Sequence, residues 1–155
     1  MKTWTTVDRS KWKQPELGEG EPDKAQWIDE ATGLDCLIVR NGSGSLCGYV
    51  GVPESHRLFE VDYDDAKRKD DDYIECHGGL TFSDRCQQTD KPEERVCYVG
   101  EVANKTVWWF GFDCAHSGDI CPLFDMYMLH EDFATYKTFK YVQKEVTSLA
   151  AELAA

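Results

Sequence analysis

Short apolar segments separated by polar and glycine-rich turns recur along residues 24–113, and this pattern predicts a mainly antiparallel β-sheet. Short turns rich in glycine, around residues 32–33 and 41–45, separate the early strands and favour hairpin connections between them. The expected strands lie near Trp4 and at residues 26–28, 36–40, 46–52, 73–77, 80–83 and 96–99.

Residues 105–122, KTVWWFGFDCAHSGDICP, combine the most apolar run of the chain with a dense group of polar side chains. Both faces of the strand expected at residues 106–113 are apolar, which is typical of a central strand covered on two sides. This strand delivers the polar residues that follow it to one loop, where Gly118 permits a tight bend. The polar residues are Asp113, Cys114, His116 and Asp119.

Apolar residues near the C-terminus recur at steps of three and four, which predicts an amphipathic helix over residues 136–153. We expect this helix to pack on one face of the sheet. The fold class is then α+β in a single domain, residues 1–155, with residues 1–23 as an extended N-terminal arm. A two-fold contact between the helices of two copies, and so a homo-oligomer, is the alternative use of the same apolar stripe.

Charge and cysteine content narrow the classes of function. The 155 residues carry a formal net charge of −12, which argues against nucleic acid and anionic membranes as partners. No segment approaches the ~20 apolar residues of a membrane span, and the N-terminus lacks the apolar run of a signal peptide. We therefore expect a cytoplasmic protein. Its seven cysteines, an odd number, are expected to be reduced, several of them as small buried apolar residues.

Two groups of polar residues are candidates for chemistry: His77 with Thr81, beside the glycines at 78–79, and the loop that begins at Asp113. Imidazole and carboxylate groups together supply general acid–base catalysis. If the chain is an enzyme, His77, Asp113 and His116 are the expected catalytic residues. The alternative is structural, because aspartates often cap loop amides and a buried histidine often satisfies a backbone group.

A zinc site is a further alternative, with Cys114, His116, Cys121 and His77 as its ligands. The residue types suit zinc, but the Cys-x-His-x4-Cys spacing is not one of the familiar paired spacings, so no cofactor is expected. Cys114 could instead be a nucleophile activated by a histidine, which requires a free and exposed thiol. The sequence contains no P-loop, Rossmann fingerprint, nucleophile elbow or paired CxxC motif.

The aromatic residues indicate a site for a planar ligand. Trp109 shares its face of the expected strand with Gly111, whose missing side chain leaves room beside the indole, and Tyr49 could add a second ring. An aromatic core is the alternative, and it accounts better for Trp108 than for Trp109. The predicted ligand-binding residues are Tyr49, His77, Thr81, Trp109, Asp113, His116, Asp119 and Arg40.

Several motifs occur together: GLxCLIVR from residue 33, LCGYVGVP from residue 46, HGGLT from residue 77 and WWFGFDCAHxGD from residue 108. As a set, over most of residues 24–153, they resemble a group of small uncharacterised proteins of tailed bacteriophages and their bacterial hosts. The resemblance implies a context and not an activity. It implies a small intracellular accessory protein and, by analogy, an inhibitor or sequestering agent directed at host defence.

These observations favour a protein that binds or sequesters a small polar, nucleotide-like ligand, such as a host defence signalling molecule. The face shared by Trp109, Gly111 and Asp113 and the missing catalytic signature support this hypothesis, whereas the acidic net charge opposes it. One alternative is a hydrolase with a His/Asp site, with or without a metal ion. Another is an inhibitor that acts on a host protein through a large exposed apolar surface.

Overall fold

A computed structural model describes residues 1–86, 89–100, 105–124 and 133–155, and six strands within these residues form one sheet. In chain order the strands are β1 (Lys2–Trp4), β2 (Lys24–Ile28), β3 (Asp35–Arg40), β4 (Leu46–Pro53), β5 (Phe82–Arg85) and β6 (Val107–Asp113). Their order across the sheet is β1-β2-β3-β4-β6-β5, and every neighbouring pair is antiparallel. The prediction of a mainly antiparallel sheet is confirmed.

The C-terminal helix, α1 (Phe139–Ala154), begins where Thr138 caps its first turn by accepting a hydrogen bond from the Tyr141 amide at 3.2 Å. It therefore starts at residue 139, whereas the apolar stripe alone predicts residue 136. The helix packs on β3 and β4, which confirms the α+β fold with the helix on one face of the sheet. Its buried residues are Val142, Val146, Leu149, Ala150 and Leu153.

Apolar side chains on both faces of β6 contribute to two separate cores. Phe110 and Phe112 lie in the core beneath α1, and Trp109 lies in a smaller cluster on the opposite face. The helix approaches closely because β4 has a glycine at the contact: a Cβ on Gly48 would overlap the side chains of Phe112 and Val146. The expected central strand is thus an interior strand, between β4 and β5.

Residues 89–100, here called the covering segment, lie over the sheet face opposite α1. The buried Lys24 ammonium donates hydrogen bonds of 2.5–2.7 Å to three of its backbone carbonyls, and Gln26 exchanges two hydrogen bonds with the Val99 backbone. The prediction of a strand at residues 96–99 is wrong, because side chains of β2, and not a backbone ladder, hold this segment. The three carbonyls belong to Pro92, Arg95 and Cys97.

A disulfide between Cys86 and Cys97 joins the covering segment to the end of β5, with the two Cα atoms 4.8 Å apart. The expectation of seven reduced thiols is wrong for this pair. The chain reverses direction between the two residues, and a sequence separation of 11 does not by itself reveal that reversal. The free cysteines are Cys36, Cys47, Cys76, Cys114 and Cys121.

The N-terminal arm is held to the sheet by the buried carboxylate of Asp23. This carboxylate accepts hydrogen bonds of 2.7–2.8 Å from the Thr6 and Val7 amides and from the guanidinium groups of Arg9 and Arg40. β1 adds a short ladder to β2. The arm is therefore fixed by charge-assisted hydrogen bonds as well as by its short strand.

The segment before β5 departs from the predicted strand pattern. Within the described residues 73–77 only Tyr73 pairs, in an isolated bridge to Lys67, and the chain then turns so that the Gly79 amide donates to the Cys76 carbonyl. The prediction of a strand at 73–77 is therefore wrong, and this turn carries His77. No helix in the described ranges has the length and apolarity needed to cross a membrane.

Candidate functional site

Two glycine-marked turns meet at the C-terminal end of β6. The turn before β5 carries His77, and the turn after β6 carries His116 and Asp119. The ring centroids of His77 and His116 are 5.7 Å apart, and the Thr81 hydroxyl donates to the Asp113 carboxylate at 3.2 Å. The structure thus brings these five predicted residues into one polar cluster.

Asp119 lies at the centre of this cluster, and its side chain is 2% exposed. One of its oxygens, Oδ2, accepts hydrogen bonds from His77 Nε2 at 2.8 Å and from the His116 amide at 3.0 Å. The other oxygen, Oδ1, forms an ion pair with Lys137 Nζ at 3.0 Å. Burial by itself raises the pKa of Asp119, but these donors outweigh burial and hold the pKa below its ordinary value. The cluster therefore contains a fixed, buried negative charge.

His77 is oriented through both of its ring nitrogens. Its Nδ1 lies 2.8 Å from the Tyr141 hydroxyl, and Tyr141 belongs to the first turn of α1. Because the ionised Asp119 can only accept, His77 Nε2 donates to it, and in the neutral imidazole Nδ1 then accepts from Tyr141. Burial raises the pKa of Tyr141, which is consistent with a protonated, donating hydroxyl. A chain of hydrogen bonds thus runs from α1 to the loop after β6.

His116 has a ring nitrogen without a hydrogen-bond partner among the described residues. This atom, Nδ1, is buried and lies 3.5 Å from Asp113 Oδ1 and 3.6 Å from Asp119 Oδ2. Asp113 itself is held by the Ala115 amide, which donates to Oδ1 at 2.9 Å. A buried polar atom between two carboxylates is a place for a proton, a polar ligand atom or a cation.

The position of His116 depends on Gly78, whose φ is +68°. A Cβ on Gly78 would overlap the His116 imidazole, whereas Gly79, at φ +83°, has no atom within 4 Å of such a Cβ. Both substitutions to alanine should lower the free energy of unfolding by roughly 1–2 kcal/mol, because both glycines adopt the left-handed conformation. Only Gly78→Ala should also displace the imidazole.

NMR spectra of the histidine ring protons would measure this difference, with Gly79→Ala as the matched control. We expect the His116 resonances to shift in Gly78→Ala and to stay near their wild-type positions in Gly79→Ala. Equal shifts in the two variants would show that Gly78 does not position His116.

A cleft of about 300 Å³ opens beside the cluster, which is near the lower end of the volumes of small-ligand pockets. Its lining combines an imidazole and a carboxylate with an aromatic ring, and it consists of Ser43, Ala115, His116, Ser117, Asp119, Cys121 and Phe124. Another cleft, of about 330 Å³, includes Arg85 and Arg95 but none of the clustered histidines or aspartates. The smaller cleft is the candidate site, because convergent polar groups mark binding sites better than volume does.

Three of the predicted ligand-binding residues lie outside the cluster. Trp109 is 1% exposed beneath the covering segment, so its indole cannot stack on a ligand. The Tyr49 ring occupies the space beside Gly111, where the sequence suggests a gap. Arg40 is buried, and its guanidinium donates hydrogen bonds to the Asp23 carboxylate, the Gly44 carbonyl and the Tyr136 hydroxyl. Each of these three side chains already has a partner within the fold, so the structure does not bring them into the cluster.

The predicted thiol ligands do not belong to the group of side chains that could share one metal ion. Among the described residues, the group of ligand atoms close enough for one metal ion consists of His77, His116 and Asp119, within 4.8 Å of one another. Cys114 is buried, and burial raises the pKa of its thiol above the ordinary range, so it is not the exposed nucleophile that the sequence allows for. The Cys121 sulfur accepts a hydrogen bond from the Ser45 hydroxyl at 3.1 Å.

Sequence reasoning missed Lys137, Tyr141 and Phe124. Tyr141 lies beside the apolar stripe of α1, and only the position of the helix on the sheet shows that its hydroxyl reaches His77. Lys137 precedes the helix and packs against the loop of Asp119 through a bridge between Asp119 and Thr135. No local pattern indicates the contacts of Lys137 and Tyr141, because their partners are far apart in sequence.

Comparisons with family models, curated proteins and solved structures found no match. The resemblance to phage proteins therefore stays a prediction.

Proposed function

We propose that this chain binds a small polar molecule with a planar, nucleotide-like ring in the cleft beside His116. The observation that carries the proposal is the His116 imidazole, which lines the cleft and has a buried ring nitrogen with no hydrogen-bond partner among the described residues. A polar ligand atom would satisfy that nitrogen, and an unsatisfied buried polar group costs about 1–3 kcal/mol.

The aromatic part of the proposal rests on Phe124 in place of Trp109. Phe124 lines the cleft and is 44% exposed, so its ring is accessible to a planar ligand. A base stacked on an aromatic side chain gains roughly 1–3 kcal/mol. The hydroxyl of Ser43 and the carboxylate of Asp119 line the same cleft and supply directional hydrogen-bonding groups.

The first test is to recover the ligand. Untagged protein from a bacterial host would be denatured, and the released compounds would be analysed by mass spectrometry. We expect one polar, ultraviolet-absorbing compound in an amount close to that of the protein. If nothing is released and no member of a nucleoside and nucleotide panel binds to the purified protein, the binding function is wrong.

Substitution of the cleft then locates the site. We expect His116→Ala to weaken affinity for the recovered ligand by about 1–3 kcal/mol with an unchanged melting temperature, because His116 is partly exposed and contributes a polar contact. Phe124→Ala should weaken it similarly. Tyr73→Ala, which removes an exposed aromatic ring outside the cleft, is the control. Calorimetric titration would measure the affinity of all three variants for the ligand. Equal affinity of His116→Ala and wild type would show that the ligand binds outside this cleft.

Hydrolysis is the second candidate, and the His77–Asp119 pair favours it, because a carboxylate that orients an imidazole is a common part of acid–base catalysis. In that case His116→Ala should reduce turnover by roughly 10²–10⁴-fold while ligand binding is nearly unchanged.

Two further hypotheses rest on the sequence alone and stay predictions. One is a phage-encoded, cytoplasmic accessory protein, and the other is an inhibitor of a host protein. The disulfide between Cys86 and Cys97 argues against a cytoplasmic location, since disulfides are typical of oxidising compartments.

A further inference from the structure

We propose that His77, His116 and Asp119 bind a divalent transition-metal ion of the Zn²⁺ type. This proposal rests on the proposed function and deepens it, because the ion would occupy His116 Nδ1 and would itself bind the polar atom of the ligand in the same cleft. One ligand atom from each of the three residues lies within 4.8 Å of the others. We assign His77 Nε2, His116 Nδ1 and Asp119 Oδ2 as the three ligand atoms. Oδ2 lies 2.8 Å from Nε2 and 3.6 Å from Nδ1. Ligand atoms at ~2.0–2.1 Å from a tetrahedral Zn²⁺ are about 3.4 Å apart, so small side-chain rotations suffice.

The chemistry of the three donors selects the class of metal. Two imidazoles and one carboxylate suit Zn²⁺ or Fe²⁺, whereas Mg²⁺ and Ca²⁺ require mainly oxygen donors. Three protein ligands leave at least one coordination position open. Since His116 and Asp119 both line the cleft, that position is available to a ligand or a water molecule there.

The unpartnered Nδ1 of His116 is the observation that separates a metal site from an ordinary polar cluster. A hydrogen-bonded cluster would satisfy this buried nitrogen, whereas here it lies 3.5 and 3.6 Å from the two neighbouring carboxylates and forms a hydrogen bond with neither. A metal ion accepts the lone pair of a neutral imidazole nitrogen. The ion would thus satisfy the buried side-chain atom of these three residues that has no hydrogen-bond partner among the described residues.

The groups behind the three ligands have the arrangement that metal sites use. With a metal on Nε2, the neutral His77 ring would carry its proton on Nδ1. Nδ1 would then donate a hydrogen bond to the Tyr141 hydroxyl, 2.8 Å away. Lys137 holds Oδ1 of Asp119, so that Oδ2 is the oxygen presented to the ion. A divalent charge would also offset the carboxylates of the cluster, and the acidic site could then accept a phosphate or carboxylate group of the ligand.

The test is a calorimetric titration of untagged, chelator-treated protein with Zn²⁺, and with Co²⁺ as a spectroscopic probe. We expect one Zn²⁺ per chain and visible Co²⁺ absorption bands without the near-ultraviolet band of a thiolate ligand. Absence of saturable one-to-one binding would overturn the proposal. A thiolate band would overturn this ligand set in favour of the cysteine-containing one.

Variants assign the ligands. His116→Gln and Asp119→Asn should each weaken Zn²⁺ binding by more than about 100-fold, and Tyr141→Phe by about 10-fold, because removing an outer partner costs less than removing a ligand. His56→Gln is the matched control, since the His56 ring bonds to the Leu153 carbonyl and not to the cluster. Wild-type affinity in both His116→Gln and Tyr141→Phe would overturn the proposal even if Asp119→Asn fails to fold.

The same samples separate this proposal from the binding function. Zn²⁺ binding without any retained or titrated small molecule would leave the metal site standing and remove the proposed function. A small molecule that binds chelator-treated protein with unchanged affinity, in protein that takes up no Zn²⁺, would give the opposite result.

Discussion

Asp23→Asn should lower the free energy of unfolding by about 3–5 kcal/mol, the typical effect of removing one partner of a buried ion pair. The Asp23 side chain is 1% exposed and the Arg40 side chain is fully buried, with 2.7 Å between Oδ1 and Nε. An asparagine at this position would turn an amide group towards donors and leave the buried Arg40 guanidinium with the Glu21 carboxylate, 3.6 Å away, as its remaining ion-pair partner. Urea denaturation would measure the change.

Asp8→Asn is the matched control, because the same substitution in the same arm affects an exposed carboxylate that accepts from the Ser10 amide. We expect it to leave the urea midpoint unchanged. A loss of less than about 1 kcal/mol in Asp23→Asn would show that Asp23 does not hold the arm to the sheet.

Acid should reduce the difference between wild type and Asp23→Asn. Burial raises the pKa of Asp23, but hydrogen bonds from the Val7 amide, Arg9, the Thr6 amide and Arg40 outweigh it and hold the pKa below 3.8. The unfolded chain then binds a proton before the folded chain does, so the stabilisation is present above pH ~3.8 and is lost as the pH falls through the lower, folded-state pKa. Denaturation curves of both proteins between pH 7 and 2 would show the convergence.

Lys24→Met should lower the free energy of unfolding by about 3 kcal/mol and loosen the covering segment. Methionine fills a similar volume but leaves three backbone carbonyls without their charged donor, and a hydrogen bond to a charged group contributes about 1.5–3 kcal/mol before desolvation is counted. Burial lowers the pKa of Lys24 to about 8, so the ammonium is still protonated at neutral pH and can donate all three protons.

Hydrogen exchange would locate the effect of Lys24→Met. The Val99 amide, which donates to Gln26 at 2.7 Å, should exchange faster in the variant, while amides of α1 should change only with global stability. Lys11→Met, at an exposed lysine, is the control. Unchanged exchange at Val99 would mean that the disulfide alone holds the segment.

Local patterns in the sequence were sufficient for the elements that pack on the helix side. β3 and β4 are short apolar segments joined by a glycine-rich turn, and the stripe on α1 marks the helix face that meets them. These features depend on neighbours a few residues apart, which is why hydrophobic periodicity predicts them.

The opposite face could not be predicted in this way. Lys24 and Gln26 occupy alternate positions of β2, a pattern that normally indicates a solvent-facing strand. Both are buried because their side chains bond to the backbone of a segment about 70 residues later. The burial of Trp109 follows from the same cover, so the prediction of a stacking site there was wrong for a reason that lies elsewhere in the chain.

The candidate site was predicted in part. Glycines at 78–79 and 118 mark the turns that carry His77 and His116, and an interior strand that ends in polar residues indicates where they meet. The contributions of Tyr141 and Lys137 depend on how α1 sits on the sheet. Tertiary position decides such contacts, and residue spacing does not contain it.

The two outer strands of the sheet are its shortest, with three residues in β1 and four in β5. Unpaired amides and carbonyls along an outer strand are the template on which another chain can add a strand, and short outer strands limit that template. In the part of the chain that the structure describes, the sheet therefore offers little backbone for growth by strand addition. A second copy that binds this part of the folded chain would therefore associate mainly through side chains.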